Sequence, residues 1–336
     1  MEKFMKNKCL LALLACLLLI SCGKRNYFPK EIEQKQIEIV RFDQQLLAVN
    51  ESNAQKQVRE LYKSDFMPYF MEDILGIRTY DTAYMIEALP KFLEDTIYQF
   101  KQTNQLAKAE YENIDTIQQE LNSAFSKISY LYPEFVLPKI YFFLSGFNAS
   151  IYFFEDNIAV GVDMYLGSDY PLYSQVVYEY QKKTMKKECV SLDIVSAYLF
   201  KNIPYTSTEH RLIEQMLYRG KIMYLLQLLF PEKSEAEIMG YTEEQVKWCR
   251  EYERPIWNKV IEKGDLFKND HLLINSYLND GPFTAEISQE SPGRLGTWMR
   301  MKVIESYFYY NRKATIQEVM AEGDAKQIIK KSKYDP

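Results

Sequence analysis

Apolar positions along this chain change their period twice, and each change marks a different kind of element. From about Asn50 to Pro133 they recur at helical spacing: Val58, Leu61 and Tyr62, then Ile97 and Phe100, then Ile114, Ile117, Leu121, Phe125 and Ile128. Pro90 falls inside this region and is expected to break or start a helix. Three short aromatic and β-branched runs follow: Lys139–Ser145, Ala149–Glu155 and Ile158–Asp163. Gly146-Phe147-Asn148 and Asp156-Asn157 separate them with turn chemistry, which predicts a three-stranded antiparallel meander as the main sheet. The helical period then returns. It predicts helices over Leu172–Lys187, Leu192–Phe200, Glu209–Phe230, Glu243–Lys263, Leu295–Asn311, Ile316–Glu322 and Ala325–Lys331, with Thr242 and Asp324 as N-caps. The expected fold class is α+β, mostly α, with one small antiparallel sheet and no internal repeat.

The N-terminus obeys different rules. Lys3, Lys6 and Lys8 precede an uncharged apolar run, Cys9–Ile20, which is too short for a span of about 20 residues and suits the h-region of an export signal. The run ends in Leu19-Ile20-Ser21-Cys22, which resembles the lipobox of bacterial lipoproteins, although Ile20 is larger than the residue usual at its place. The resemblance implies cleavage before Cys22, acylation of its thiol, and anchoring by two or three acyl chains, each buried methylene contributing about 0.8 kcal/mol. The expected organisation is a signal peptide at 1–21, a tether at 22–38 that includes the polar Asn26–Lys35, and one globular domain at 39–336.

Composition narrows the function more than it names it. Nearly half the residues are apolar, enough for a sizeable core, and removing the signal moves the formal charge from −5 to about −7. Such a surface offers no basic stripe for nucleic acid. Two histidines are present, His210 near a helix start and His271 in an expected loop; neither stands in H-E-x-x-H, and no Cys/His cluster has metal-ligand spacing. No cofactor is expected. Cys189 and Cys249 remain after processing, either as a disulfide or as two buried thiols. Glu209 with Glu214 or Glu179 would serve as an acid/base pair, but spacing alone gives such pairs little specificity. Gly293-Arg294-Leu295-Gly296 reads as an anion site at a helix start, or simply as a turn that opens a helix. Asp81-Thr82-Ala83, Asp95-Thr96-Ile97 and Asp115-Thr116-Ile117 are similar to the Asp-Thr/Ser-apolar O-glycosylation motif of exported Bacteroidetes proteins, which marks Thr82, Thr96 and Thr116; ordinary helix-start chemistry is the plainer reading.

Several stretches share one further likeness. They are Ile39–Asp43, Pro138–Tyr141, Val160–Gly167, Met216–Tyr224, Met239–Thr242, Pro292–Trp298 and Ser332–Pro336. In this order, behind a lipobox, the chain resembles the gliding-motility lipoprotein GldB family of Bacteroidetes. The resemblance implies a cell-envelope lipoprotein tied to gliding or to linked envelope and secretion functions, with protein partners and no established activity. More distantly, Tyr218-Arg219-Gly220-Lys221 after strands and a helix is similar to predicted zinc-dependent proteases, in which an H-E-x-x-H helix and a Glu before Gly-Lys hold zinc. The helix around Asp193–Phe200 has no His and Arg219 replaces that Glu, so the resemblance implies a zincin-like scaffold without its metal site. On that reading Arg219, Lys221 and Arg294 are candidate binding residues, Arg219 holding a carboxylate. A non-catalytic binding component is expected first, and a peptidase-like hydrolase or a peptide or small-ligand receptor second. Gly23 after Cys22 and the non-acidic Lys24-Arg25-Asn26 point to a periplasm-facing domain.

Overall fold

The strand-forming runs pair as a mixed sheet. In the computed structural model, which describes residues 26–77, 81–96 and 99–336, the chain divides after Ile32, and the unit Glu33–Pro336 holds the sheet and the helices named below. The expected signal peptide, Cys22 and Ile97 lie outside the described residues. Strands β1 (Ile39–Val40), β2 (Ile140–Phe143), β3 (Ile151–Phe154) and β4 (Asn157–Gly161) lie in the order β1-β2-β4-β3. β2 pairs in parallel with both β1 and β4, and only β3 and β4 are antiparallel.

The antiparallel meander is thus corrected, and burial gives the reason. All of β2 and nearly all of β4 are buried, as inner strands covered on both faces must be, whereas β3 is half exposed and takes the edge. The β2–β3 link is a loop held on the buried Asp163, whose carboxylate accepts from Ser145 N (2.8 Å), Ser145 Oγ (3.0 Å) and Phe147 N (2.9 Å). The tight turn falls one step later, at Glu155, with φ 47°.

One sheet face packs on an aromatic cluster in which Phe66 lies 5.3, 5.1 and 5.0 Å from Phe42, Phe143 and Phe154. This layer comes from α1 (Phe42–Leu47), α2 (Ala54–Leu61) and a helical turn at Met67–Tyr69 that runs into a π-helical turn, Phe70–Ile74. Then follow α3 (Thr82–Leu93), α4 (Phe100–Glu110) and α5 (Asp115–Leu131). Ile37 and Lys35, inside the expected tether, bond through their N–H groups to Asn122 and Ser126 of α5. Pro90 neither breaks nor starts a helix. It is buried inside α3, which ends only three residues later at Leu93, so little of the ladder is lost.

The second half is helical, with corrections. Leu172–Lys187 is not one helix but α6 (Tyr173–Val176) and separate 3₁₀ turns at Lys182–Thr184 and Lys187–Cys189. Tyr173 ties this segment to the stretch after β4, donating to Asp163 O (2.8 Å) and accepting from Leu166 N (2.7 Å). Next come α7 (Val190–Asn202), α8 (Leu212–Leu229), α9 (Glu235–Met239), α10 (Glu243–Glu251) and α11 (Glu253–Glu262). The single helix expected over Glu243–Lys263 breaks at Tyr252, because Pro255 fits the first turn of a new helix and not the middle of a long one. α12 (His271–Leu278) replaces the loop expected at His271, with Asp270 accepting from Leu273 N (2.8 Å). α13 (Leu295–Tyr310), α14 (Ile316–Ala321) and α15 (Ala325–Ser332) complete the chain. Thr242 and Asp324 cap as expected, Thr242 through a reciprocal capping box with Gln245. α8 and α13 form the most extensive helix pair, crossing at Gly220, where a Cβ would lie 2.5 Å from Arg300 Cβ and 2.6 Å from its carbonyl carbon.

Candidate functional site

A cavity of about 230 Å³ opens between α7, α8 and the loops that lead out of α9 and into α13. α7 presents Leu192, Asp193 and Ser196 to it, at spacings i, i+1 and i+4 on one side of the helix. α8 supplies Met223 and Leu226, and Tyr165 enters from beyond β4. The irregular segment around Val177–Met185 walls the cavity on another side. Where the loops before α13 and after α12 meet, a Cβ on Gly293 would sit 2.5 Å from Gly281 O, so a side chain there would force the wall apart. Tyr241 fixes the same wall by donating to Gly293 O (2.7 Å).

Charge is unevenly placed in this cavity. Asp193 accepts from Tyr165 Oη (2.9 Å) at its Oδ2, and among the described residues Oδ1 accepts from none. Burial pushes the Asp193 carboxyl up to about 6, against the pull of Tyr165 and Arg294. The Tyr165 hydroxyl is raised far above its usual range by burial and by Asp193. Lys183 donates to Gln245 Oε1 (3.0 Å), lies 5.6 Å from the Tyr241 ring centre, and pairs with no carboxylate among the described residues. Burial, then the field of Arg294, lowers its pKa. Arg294 pairs through Nε with Asp280 (2.9 Å) and donates through Nη2 to Met239 O.

Of the three candidate binding residues, Arg294 lines the cavity and Arg219 and Lys221 do not; Cys189 and Gly293 line it too. The backbone of Arg294 is left-handed (φ 56°) at the start of α13, and its side chain is already engaged, so the open anion site pictured at Gly293–Gly296 is closed by Asp280. Among the described residues Arg219 pairs with no carboxylate; it donates to Leu278 O (3.1 Å) and Asn279 Oδ1 (3.3 Å), at the C-terminal end of α12. Lys221 is buried and donates to Met320 O (3.3 Å) and to Glu322 O, at the C-terminal end of α14. Both cations satisfy carbonyls that a helix end leaves open and meet the negative pole of its dipole. Around Gly220 they clasp two helices against α8.

The remaining candidates are scattered. Glu214 (2.7 Å) and Glu209 (3.8 Å) share Arg211, whereas Glu179 pairs with Lys182 (2.6 Å). His210 stacks on Tyr205 at 5.5 Å. Cys189 and Cys249 are both free and buried, and burial pushes each thiol up to about 12. Thr82 opens α3 behind Asp81, which accepts from Ala83 N (2.8 Å), while Thr96 and Thr116 are exposed. Among the described residues no group of three or more His, Cys, Asp or Glu side chains is placed to hold a metal ion. Sequence reasoning passed over Asp193 and Lys183. The available signal for Asp193 was a lone acid in the otherwise uncharged run Val190–Phe200.

These features define a mostly helical α+β protein with a small mixed sheet and a charged cavity. The chain belongs to the GldB family: the family described as gliding motility protein GldB matches residues 25–336. No curated protein and no solved structure matches it. Membership makes it a gliding-motility lipoprotein of the cell-envelope type, and among the described residues no helix is long and apolar enough to cross a membrane. Four of the stretches that carry the family resemblance meet at the cavity, through Tyr165, Met223, Tyr241 and Arg294.

Proposed function

We propose that this protein is a non-catalytic binding or assembly component of envelope, gliding or secretion machinery, held at the membrane by acylated Cys22 with its domain facing the periplasm. The observation that carries this reading is the convergence of family-like stretches on one cavity whose side chains suit binding. On the zincin-like reading of the scaffold, α7 is the helix that would bear H-E-x-x-H. Leu192, Asp193 and Ser196 then stand at its His, Glu and His positions, and neither Leu nor Ser replaces imidazole as a ligand. Affinity purification of the acylated protein from its own envelope tests the assembly role. The same envelope partners should return in each preparation and be lost when the cavity is altered; preparations with no recurring partner would overturn it.

One observation favours a second reading, a hydrolase on the same scaffold. A carboxyl with a pKa of about 6, inside a cavity, is tuned as a general base often is. Metal analysis and peptide-hydrolysis assays on the detergent-purified chain separate the two. Stoichiometric zinc, or turnover abolished by Asp193→Asn, would replace the binding reading with this one.

A further inference from the structure

We infer that the cavity holds a small zwitterion, a free amino acid or the uncapped ends of a very short peptide, with the ligand ammonium on Asp193 and its carboxylate on Lys183. The inference deepens the proposed binding role and rests on it. Size sets the first limit. At about 230 Å³ the cavity falls below the roughly 300–1,000 Å³ of sites for drug-sized ligands. It exceeds the ~150 Å³ that accommodates one benzene. A ligand of a dozen heavy atoms or fewer fits; a folded partner does not enter.

Charge sets the second. Asp193 keeps one carboxylate oxygen unengaged among the described residues, and Arg294, the cation whose field reaches it, is itself paired with Asp280. Such an acceptor, drawn into a low-dielectric wall, is matched by a cationic N–H donor better than by a neutral one. Lys183 is the complementary case, a part-buried ammonium whose polar partner is a neutral amide. Arg294 lies near enough to depress Lys183 electrostatically, and Asp280 offsets one of these two cations, leaving a net positive charge at that wall. One uncompensated negative site and one uncompensated positive site in the same cavity select a ligand that carries both charges. A simple cation or anion would leave one of the two unanswered.

The test is calorimetric titration of the detergent-purified acylated chain at pH 7.5 with L-alanine and L-alanyl-L-alanine. N-acetyl and C-terminal amide forms of the dipeptide serve as controls. Uncapped ligand should bind, and each cap should lower affinity about tenfold or more, the scale of one charge-assisted hydrogen bond. In Asp193→Asn the N-acetyl cap should cost nothing further, and in Lys183→Gln the amide cap should cost nothing further. This pattern of lost discrimination separates recognition from misfolding, and a melting curve for each variant guards the comparison. Capped and uncapped dipeptides binding equally, or no ligand binding at millimolar concentration, would overturn the inference. Envelope purification with the same variants isolates the broader reading. Zwitterion binding lost while partners are retained removes the cavity from the assembly role but leaves the ligand assignment standing. Partners lost with no zwitterion bound does the reverse.

Discussion

Asp193 works against the stability of the fold that holds it. Its carboxyl is raised by burial from an ordinary value of 3.8 to about 6, so ionising it costs the native state more than the unfolded chain. A group raised in this way favours the fold fully below about pH 3.8, and that contribution is lost as pH climbs through about 6. Asp193→Asn keeps an oxygen for the Tyr165 hydroxyl and removes the titration. The variant should be more stable than the parent by about 1–3 kcal/mol at pH 7.5 and indistinguishable from it below pH 4. Thermal melts across that range check both halves, and a variant that melts lower at pH 7.5 would refute the account. At this scale the sequence was legible where a residue's neighbours are local. Thr242 and Asp324 cap their own helices and could be read directly. Arg219 and Lys221 could not, since their partners lie 59 to 101 positions away at the ends of other helices. Asp193 drew no notice for a similar reason: its partner Tyr165 arrives from beyond the sheet.

Between elements, the α8–α13 crossing leaves no room for a side chain at Gly220. Gly220 faces backbone and Cβ atoms of Arg300 and Met301 at 2.5–2.8 Å from where its own Cβ would be, and the helix backbone opposite has no flexible end to withdraw. Gly220→Ala gains helix propensity of about 1 kcal/mol. It also forces the pair apart and strains the flanking Arg219 and Lys221 contacts, an overpacking cost of about 1–3 kcal/mol or more. The net expected effect is destabilisation, read as a lower urea midpoint. An unchanged midpoint would mean that the helices slide apart freely. Periodicity revealed most of these helices because α2 and α5, for example, keep one apolar face. It could not order the strands. Two apolar runs joined by a short link fit an adjacent antiparallel pair as well as two strands with a third, here β4, inserted between them, and the decision came from Asp163 holding the loop open. The residues after Leu172 misled as well. The helix stops at Val176 because Val177 turns extended (φ −136°, ψ 163°), while Tyr173 is tied to the segment after β4.

For the whole molecule, the proposed anchor and the cavity make separable demands. Cys22 lies outside the unit Glu33–Pro336, in which every cavity residue sits, so losing the acyl chains should leave that unit's fold and its ligand binding intact. A single acyl chain holds a protein to a bilayer only marginally, while two or three make the attachment stable. Cys22→Ser removes the thiol on which that attachment is proposed to depend. The variant should move from the membrane to the soluble fraction of the envelope, or remain as an uncleaved precursor. Its melting temperature should match that of the acylated chain in the same detergent, and its titration with L-alanyl-L-alanine should be unchanged. Envelope function, scored as the recovery of partners, should fall although the cavity is intact, because a dissolved domain loses the high effective concentration that confinement to one surface provides. Intact mass of the parent's mature N-terminus supplies the second arm, with the acyl mass expected on Cys22. A serine variant that stays with the membrane in processed form, or a parent without acyl mass, would refute the anchor while leaving the cavity and its ligand as an independent question.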